Sequence, residues 1–517
     1  MKQFKISHKL KFEQCSNNKV KILFQKCIKI LLCDFFKMNY YFCLGVLDSI
    51  PLDLDSGMDT WIDHDVAFDV FEILNLYPTE LDATKFIFTN FAHLTTGVSM
   101  MNPGWKQKDD LHPIQHELVK DPDVGFADYI VKERIFNFYL YSGCVPTTEA
   151  YNLMRKMMSD PRTSWKKPVE VFGYNDAIHV FGSLFEAETN CIPEHNMGQV
   201  ASSGQNNFSF FNKKTAIQNP DYLKKYLEAL LKTRQEIANG SIIYNPNNTY
   251  MTFIVGDGDN VAFMKGGRRG WMEERTKFCN QSPEKCNYPL SWSISPHLVY
   301  LAPDWLDWYY ARANETGQDV FVLPPSGHLY SYPGMMNNES IQNSYIERTQ
   351  QDCQLLSSTS SVHWEWFYGW KPAFDIYFPK YALSYGANDS EHCVRSFFAT
   401  NVPYNFYPTP IQWPLNQHFR TLNGDVIVFK PREWRGTNKD DAPIFGENNY
   451  LTEEEMAAEI NGYNKGSVSH LYLTSDGGIE LSTLYKMVDM LDDHVKIVNH
   501  EELTEMARQK SSISNLD

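Results

Sequence analysis

The chain has 517 residues, enough for two or more domains with sizeable cores. Hydrophobic residues make up 43% and charged residues 21%, which is ordinary soluble globular composition. The net charge of −16 argues against nucleic acid as a partner, because that affinity rests on clustered Lys and Arg. The largest basic knot, Lys265 to Arg269, contains two glycines and reads as a solvated turn.

Residues 20–47 are apolar but interrupted by Lys21, Lys26, Lys29, Asp34 and Lys37. A charge at the bilayer centre costs roughly 2.5 to 3.5 kcal/mol, so no stable membrane span is expected. The basic stretch before Ile28–Cys33 resembles a degenerate signal peptide whose apolar run is too short, and Met38 is an alternative start. Residues 1–58 are therefore read as an N-terminal extension, 59–243 as an N-terminal α/β region and 244–510 as a C-terminal α/β domain.

In the N-terminal region, Asp128–Ser142 has helical apolar spacing at Ile130, Ile135, Phe138 and Tyr139. Thr147–Ser159 is a second helix candidate and Pro168–Tyr174 a short strand. A long helix is signalled from Asn219 as N-cap and Pro220 in the first turn to a stop at Gly240. Strand and helix then alternate. Strand character falls at Tyr250–Val255, Leu290–Ser295, Val320–Leu323, Val362–Phe367, Val426–Phe429 and Leu471–Leu473. Helix candidates lie at Asp304–Asn314, Glu339–Leu356, Thr452–Asn461 and Leu481–Asp492, the third opening with Thr452 and Glu455 in capping-box spacing. This alternation predicts a parallel sheet wrapped by helices, either open or closed into a barrel.

Ten cysteines include no CxxC and no zinc-ligand spacing. Cys279 and Cys286 bracket a polar loop that suits either a disulfide or two buried thiols. Sequons begin at Asn207, Asn239, Asn247, Asn280, Asn314, Asn338 and Asn388, which points to a secreted or lysosomal glycoprotein.

Three constellations carry chemistry. The apolar run Tyr250–Val255 leads into Gly256-Asp257-Gly258-Asp259-Asn260, putting two carboxylates and an amide at a strand's C-terminal end, where α/β folds bind ligands. An EF-hand fails here, since Val261, Ala262 and Arg268 stand where an oxygen ligand, Gly and Glu are needed. An Asx-rich capping turn is the bland alternative. Second, Pro324-Pro-Ser-Gly-His-Leu-Tyr-Ser-Tyr-Pro333 follows another strand and offers His328, Tyr330 and Tyr332. Third, Val362-His-Trp-Glu-Trp sets Glu365 between Trp364 and Trp366, a setting for a raised pKa and a general acid, or for a buried structural carboxyl.

Gly327-His-Leu-Tyr-Ser-Tyr-Pro333 resembles the signature of the GxGYxYP putative glycoside hydrolase family, with Leu329 where the second glycine belongs. The Asp257-Gly-Asp-Asn260 segment, Leu290-Ser-Trp-Ser-Ile-Ser-Pro296 and Ala302-Pro303 are similar to that family's pattern, as is the closing stretch Leu481 to Leu503. The resemblance implies a barrel-like C-terminal domain and a carbohydrate substrate. Leu329 predicts a change of backbone geometry at the tyrosine loop, because glycine suits special conformations there.

A glycoside hydrolase needs two carboxylates flanking the scissile bond. The candidates are Asp257 and Asp259, with Glu365 as acid; Asn260, His328, Tyr330 and Tyr332 would position the sugar, and Trp364 or Trp366 would stack on it. No cofactor or metal is called for, and the oligomeric state is not indicated. Two other readings stand beside it. A metal-dependent deacetylase would use His112 and His116, spaced i and i+4 as on a helix, although Pro113 lies between them. A non-catalytic carbohydrate-binding protein on a hydrolase scaffold would explain Leu329.

Overall fold

The computed structural model describes residues 80–100, 105–106, 115–118, 126–138, 140, 143–173, 191–200, 207–212, 220–365, 369–384, 393–400, 416–421, 424–439, 442, 446–474 and 479–513. The N-terminal extension, His112 and Trp366 lie outside these. The chain divides into two compact units, residues 1–166 with 175–180, and residues 167–174 with 181–517.

The first unit holds helices α1 (Glu80–Phe91), α2 (Ala127–Glu133) and α3 (Glu149–Ser159) and strands β1 (Val98–Ser99), β2 (Trp105–Lys106), β3 (Gln115–Leu118) and β4 (Phe136–Asn137). Strands β1 and β4 pair in parallel. Thr148 caps α3 by accepting from the Tyr151 N–H, and Met154, Met157 and Met158 fill its buried face. The helix expected to run to Ser142 is shorter. Arg134 takes a positive φ of 59°, which ends α2, and the Phe136 N–H then donates to the Gly97 carbonyl. Ile135 and Phe136 are buried beside or within a strand instead. A short apolar run fits either element, and strand pairing decided this one. His116 is also in a strand, not on the helix that the deacetylase reading expected.

In the second unit, β5 (Val169–Phe172) pairs in parallel with β6 (Met197–Val200). Helix α4 (Pro220–Ala238) ends at Gly240 with φ 71°. The alternating region follows: β7 (Thr249–Val255), α5 (Val261–Lys265), α6 (Gly267–Gln281), β8 (Ser291–Ser293), α7 (Pro303–Thr316), β9 (Val320–Val322), α8 (Glu339–Leu355), β10 (Ser360–Trp364), β11 (Ser396–Thr400), β12 (Gln417–Arg420), β13 (Asp425–Phe429), β14 (Glu433–Trp434), α9 (Glu453–Asn461), β15 (Val468–Leu473), α10 (Leu481–Asp489), β16 (Val495–Ile497) and α11 (His500–Ile513). Both arms of the Thr452–Glu455 capping box are made. Cys279 is bonded to Cys286 and Cys353 to Cys393.

The strands form a six-stranded sheet, β14-β15-β7-β8-β9 with β16 on β7, and a four-stranded sheet, β10-β11-β13-β12. All pairings are parallel except β12 with β13. A single bridge, Leu323 to Ser361, links β9 to β10. One apolar cluster draws Ile254, Val322, Val362, Phe398, Phe429 and Tyr472 from six different strands, against Leu503 and Met506 of α11. The ladder does not close into the expected barrel. Among the described residues no pairing joins β12 or β13 to β14 or β15.

Four of the buried histidines in this unit are held neutral. Burial lowers His297 and His500 to about 4, and His363 and His470 to about 3. In the unfolded chain they would take protons near pH 6.5. Stability is therefore lost as pH falls from about 6.5 towards 4. Raised pKa values oppose this, at Glu365, Asp319, Glu502 and Glu274 through burial and at His328 through its carboxylate neighbours. Calorimetric melting from pH 8 to 4 should show a midpoint that declines below pH 6.5. The substitution H500Q should flatten the decline, and a midpoint that stays level to pH 4 would contradict this account.

Candidate functional site

Strand β7 is fully buried along its length and lies between β15 and β8. Its C-terminal end delivers Gly256 to Asn260 at the edge of the parallel sheet. Asp257 has a left-handed φ of 62°, one of the few non-glycine types that adopts it readily. Its N–H donates to the Tyr472 hydroxyl at 2.9 Å. Its carboxylate is ion-paired with Arg268, whose Nε also donates to the Gly256 carbonyl at 2.7 Å. The Arg268 guanidinium is buried and sits 4.4 Å from the Trp271 ring centre.

The solvated turn expected at Lys265–Arg269 is thus corrected. It joins α5 to α6 and turns Arg268 inward to match the charge of Asp257.

The side chain of Asp257 remains 17% exposed, and Asp259 is also partly exposed. Burial raises the Tyr472 phenol well above its usual range, and the Asp257 and Asp259 charges add to that. Both carboxylates thus lie within electrostatic reach of a neutral phenol. Gly258 donates its N–H to Ser293 Oγ at 2.9 Å, and a Cβ there would stand 1.9 Å from the Ser293 carbonyl oxygen. Only glycine allows so close an approach. Asn260 has a structural duty, because its Oδ1 accepts from the Ala262 N–H and caps α5.

The tyrosine loop follows β9. Gly327 has φ 103°, whereas Leu329 is absent from the positive-φ positions of the chain. Leu329 therefore does not occupy the left-handed region that glycine suits. Its buried side chain lies over Gly198, where a Cβ would come within 2.6 Å of it. Tyr330 exchanges backbone hydrogen bonds with Gln199, and Ser326 is pinned through its hydroxyl to both backbone groups of Trp364. The hydroxyls of Tyr330 and Tyr332 are 3.2 Å apart, and Trp364 meets the Tyr330 ring edge-on at 5.2 Å. Trp364 is partly exposed; both tyrosines are buried.

His328 does not join the tyrosines. Its Nδ1 donates to Asp352 at 2.6 Å, and its Nε2 lies 3.2 Å from Arg348 and 3.7 Å from Glu170. Burial alone would lower its pKa, but the carboxylates of Asp352 and Glu170 outweigh burial and raise it. The imidazole is locked into an ion network.

Glu365 takes the structural alternative. It has no exposed surface, its Oε1 accepts from the Gly334 N–H at 2.6 Å and from His363 Nε2 at 3.1 Å, and its Oε2 abuts Gly369 without a partner. Burial holds its carboxyl protonated, well above the ordinary carboxylate range. The role of acid at an open sugar site is therefore corrected: no substrate oxygen reaches it.

Arg268, Tyr472, Ser293, Glu170, Arg348 and Asp352 complete these clusters and carry no motif of their own. The strand pairing that sets Tyr472 beside Ile254 places it at Asp257.

The fold and site define a mixed α/β protein with parallel sheets and acidic side chains at a strand's C-terminal end. Residues 247–363 match the GxGYxYP putative glycoside hydrolase C-terminal domain. A putative hydrolase from Bacteroides thetaiotaomicron shares the fold, at 18% identity and a TM-score of 0.53, over 84% of this chain and 69% of that one. A putative polysaccharide deacetylase from Mycobacterium smegmatis aligns at 10% identity and TM-score 0.33, over 52% and 92%. A 4-alpha-glucanotransferase from Thermococcus litoralis aligns at 12% identity and TM-score 0.31, over 50% and 40%. The last two are too distant to carry an argument. No curated protein matches the sequence.

Among the described residues, no group of His, Cys, Asp and Glu is arranged to hold a metal ion, and no helix is long and apolar enough to cross a membrane.

The substitution G258A should destabilise the chain by about 1–3 kcal/mol, the cost of forcing a methyl group into filled space. Urea unfolding measures it, and a midpoint equal to that of the unsubstituted chain would contradict the contact with Ser293.

Proposed function

We propose that this chain hydrolyses glycosidic bonds in a glycan or polysaccharide, with Asp257 and Asp259 as working carboxylates. The observation that supports this most is the loop after β7, where two partly exposed acids stand within the segment that matches the glycosidase family. Their environments differ. The Asp257 carboxylate is ion-paired with the buried Arg268, which suits a positioned nucleophile or base. The proton-donating role then passes to Asp259, in line with the rule that paired carboxylates divide acid and base duties by environment. Tyr330 and Tyr332 buttress Trp364, whose partly exposed indole would stack on a sugar ring. Barrel-like curvature of the sheets would draw Trp364 and Asp259 to a common hollow.

A φ outside the left-handed region at Leu329 weakens the support for a purely binding protein. The disulfides Cys279–Cys286 and Cys353–Cys393, and exposed sequon asparagines at 207, 239, 247, 280 and 338, favour a secreted or lysosomal location.

The test pairs reducing-end release with binding on an oligosaccharide panel. Asp259→Asn should lose about 10²–10⁴-fold in turnover, the range typical of a lost general acid, while glycan binding persists. Binding without turnover in the unsubstituted chain would sink the hydrolase reading.

A further inference from the structure

Where the ladder fails to close, the chain leaves a hollow. Strand β14 meets β15 only at Tyr472 and Leu473. Among the described residues, the edge of β15 that faces away from β7 therefore has no strand beside it from Val468 to Leu471. Such an edge presents backbone donors and acceptors that something else must meet. Asn416 meets one of them. Its Nδ2 donates to the Val468 carbonyl at 2.9 Å, and its Oδ1 accepts from the Lys430 N–H at 2.9 Å. This bridge ties the start of β15 to the segment leaving β13. Beside it lies a cavity of about 460 Å³, within the range of small-molecule sites.

Part of the wall is already committed. Arg432 Nε donates to Glu459 at 2.7 Å, and its Nη1 donates to Asn449 Oδ1 and to the Glu433 and Asn448 carbonyls. The Tyr463 hydroxyl donates to the same Glu459 at 2.8 Å, which fixes its ring in the wall. Lys430, Lys510, Asn448 and Ser467 also line the cavity. Lys430 and Asn448 are exposed, and no bond engages the side chain of Lys430, Asn448 or Ser467. Three cations (Lys430, Arg432 and Lys510) and one carboxylate (Glu459) line the hollow, a surplus of two positive charges in a chain whose net charge is −16. Like charges gathered in a concavity focus the field and attract an anion. Burial lowers the pKa of Lys510, and a bound anion would raise it again.

We propose that this hollow binds an acidic saccharide unit, with Lys430 and Lys510 pairing its carboxylate or sulfate and Asn448 and Ser467 bonding its hydroxyls. That a sugar bears the anion rests on the hydrolase reading above; the surplus of charge stands without it. Ser467 to Ser469 lie at the start of β15, whereas the Asp257 loop follows Val255, in register with Leu473 at the far end. The hollow thus holds a saccharide unit apart from the one at the Asp257 loop, and the substrate is an acidic glycan or polysaccharide.

Titration calorimetry of the full chain with glucuronate, glucose 6-sulfate, glucose and inorganic sulfate tests this. At least one acidic sugar should bind about 10-fold or more tightly than glucose and inorganic sulfate, and which of the two binds tells carboxylate from sulfate. Lys430→Gln and Lys510→Gln should each weaken that binding by about 10-fold, the worth of one charged hydrogen bond, with the melting profile unchanged. If Lys510→Gln does not fold, Lys430→Gln carries the test, because Lys430 is exposed.

Glucose bound as tightly as both acidic sugars, or acidic-sugar binding that neither lysine substitution weakens, would overturn the site. Inorganic sulfate bound as tightly as the acidic sugars would overturn the saccharide as its ligand. Turnover on the oligosaccharide panel without acidic-sugar binding would overturn this site and leave the hydrolase reading standing. Acidic-sugar binding that the lysine substitutions weaken, without turnover, would support the site and sink the hydrolase reading.

Discussion

The structure depends on how strand β7 is held. Its seven residues are buried, β15 runs beside it in register for six residues, and β8 and β16 share its other edge. A strand fixed on both sides has no freedom in where it ends. The five residues that follow therefore leave the sheet at a defined height and direction. Arg268 then returns from α6 to bond the Gly256 carbonyl and pair with Asp257. A buried guanidinium without a partner would be strongly unfavourable, so the pair and the strand end stabilise each other.

The same physics sorts the acidic groups by role. Glu365 is so thoroughly enclosed by Gly334, Gly369 and His363 that it keeps its proton and meets no solvent. His328 is similarly occupied, bound between Asp352 and Glu170. Asp257 and Asp259 differ because they sit at an edge, partly open, over a phenol that cannot readily ionise beside them. Burial, not residue type, separates the enclosed carboxyl of Glu365 from the partly open ones at the strand end.

Much of the scaffold was legible in the sequence. The run from Tyr250 to Val255, apolar and rich in strand formers, forms within the strand Thr249–Val255 and ends at Gly256, and the Thr452–Glu455 spacing marks a helix start that forms as expected. The aspartates at the strand end could be read for the same reason. What could not be read depends on partners distant in the chain. Arg268 looked solvated because its neighbours are basic and glycine-rich, and only the folded turn shows it inward. Glu365 looked like an acid between indoles, and the glycines that seal it lie 31 residues upstream and four downstream. Ser396–Thr400 is a five-residue strand too short to stand out, yet it brings Thr400 to the sheet edge.

The central claim is that Asp259 and Trp364 face one sugar-sized hollow, and a crystal soaked with a cocktail of iminosugars tests it most directly. The account predicts a ring stacked on the Trp364 indole with its nitrogen within hydrogen-bond distance of the Asp259 carboxylate. A ring bound elsewhere, with Asp259 and Trp364 facing separate solvent and touching no part of it, would contradict it.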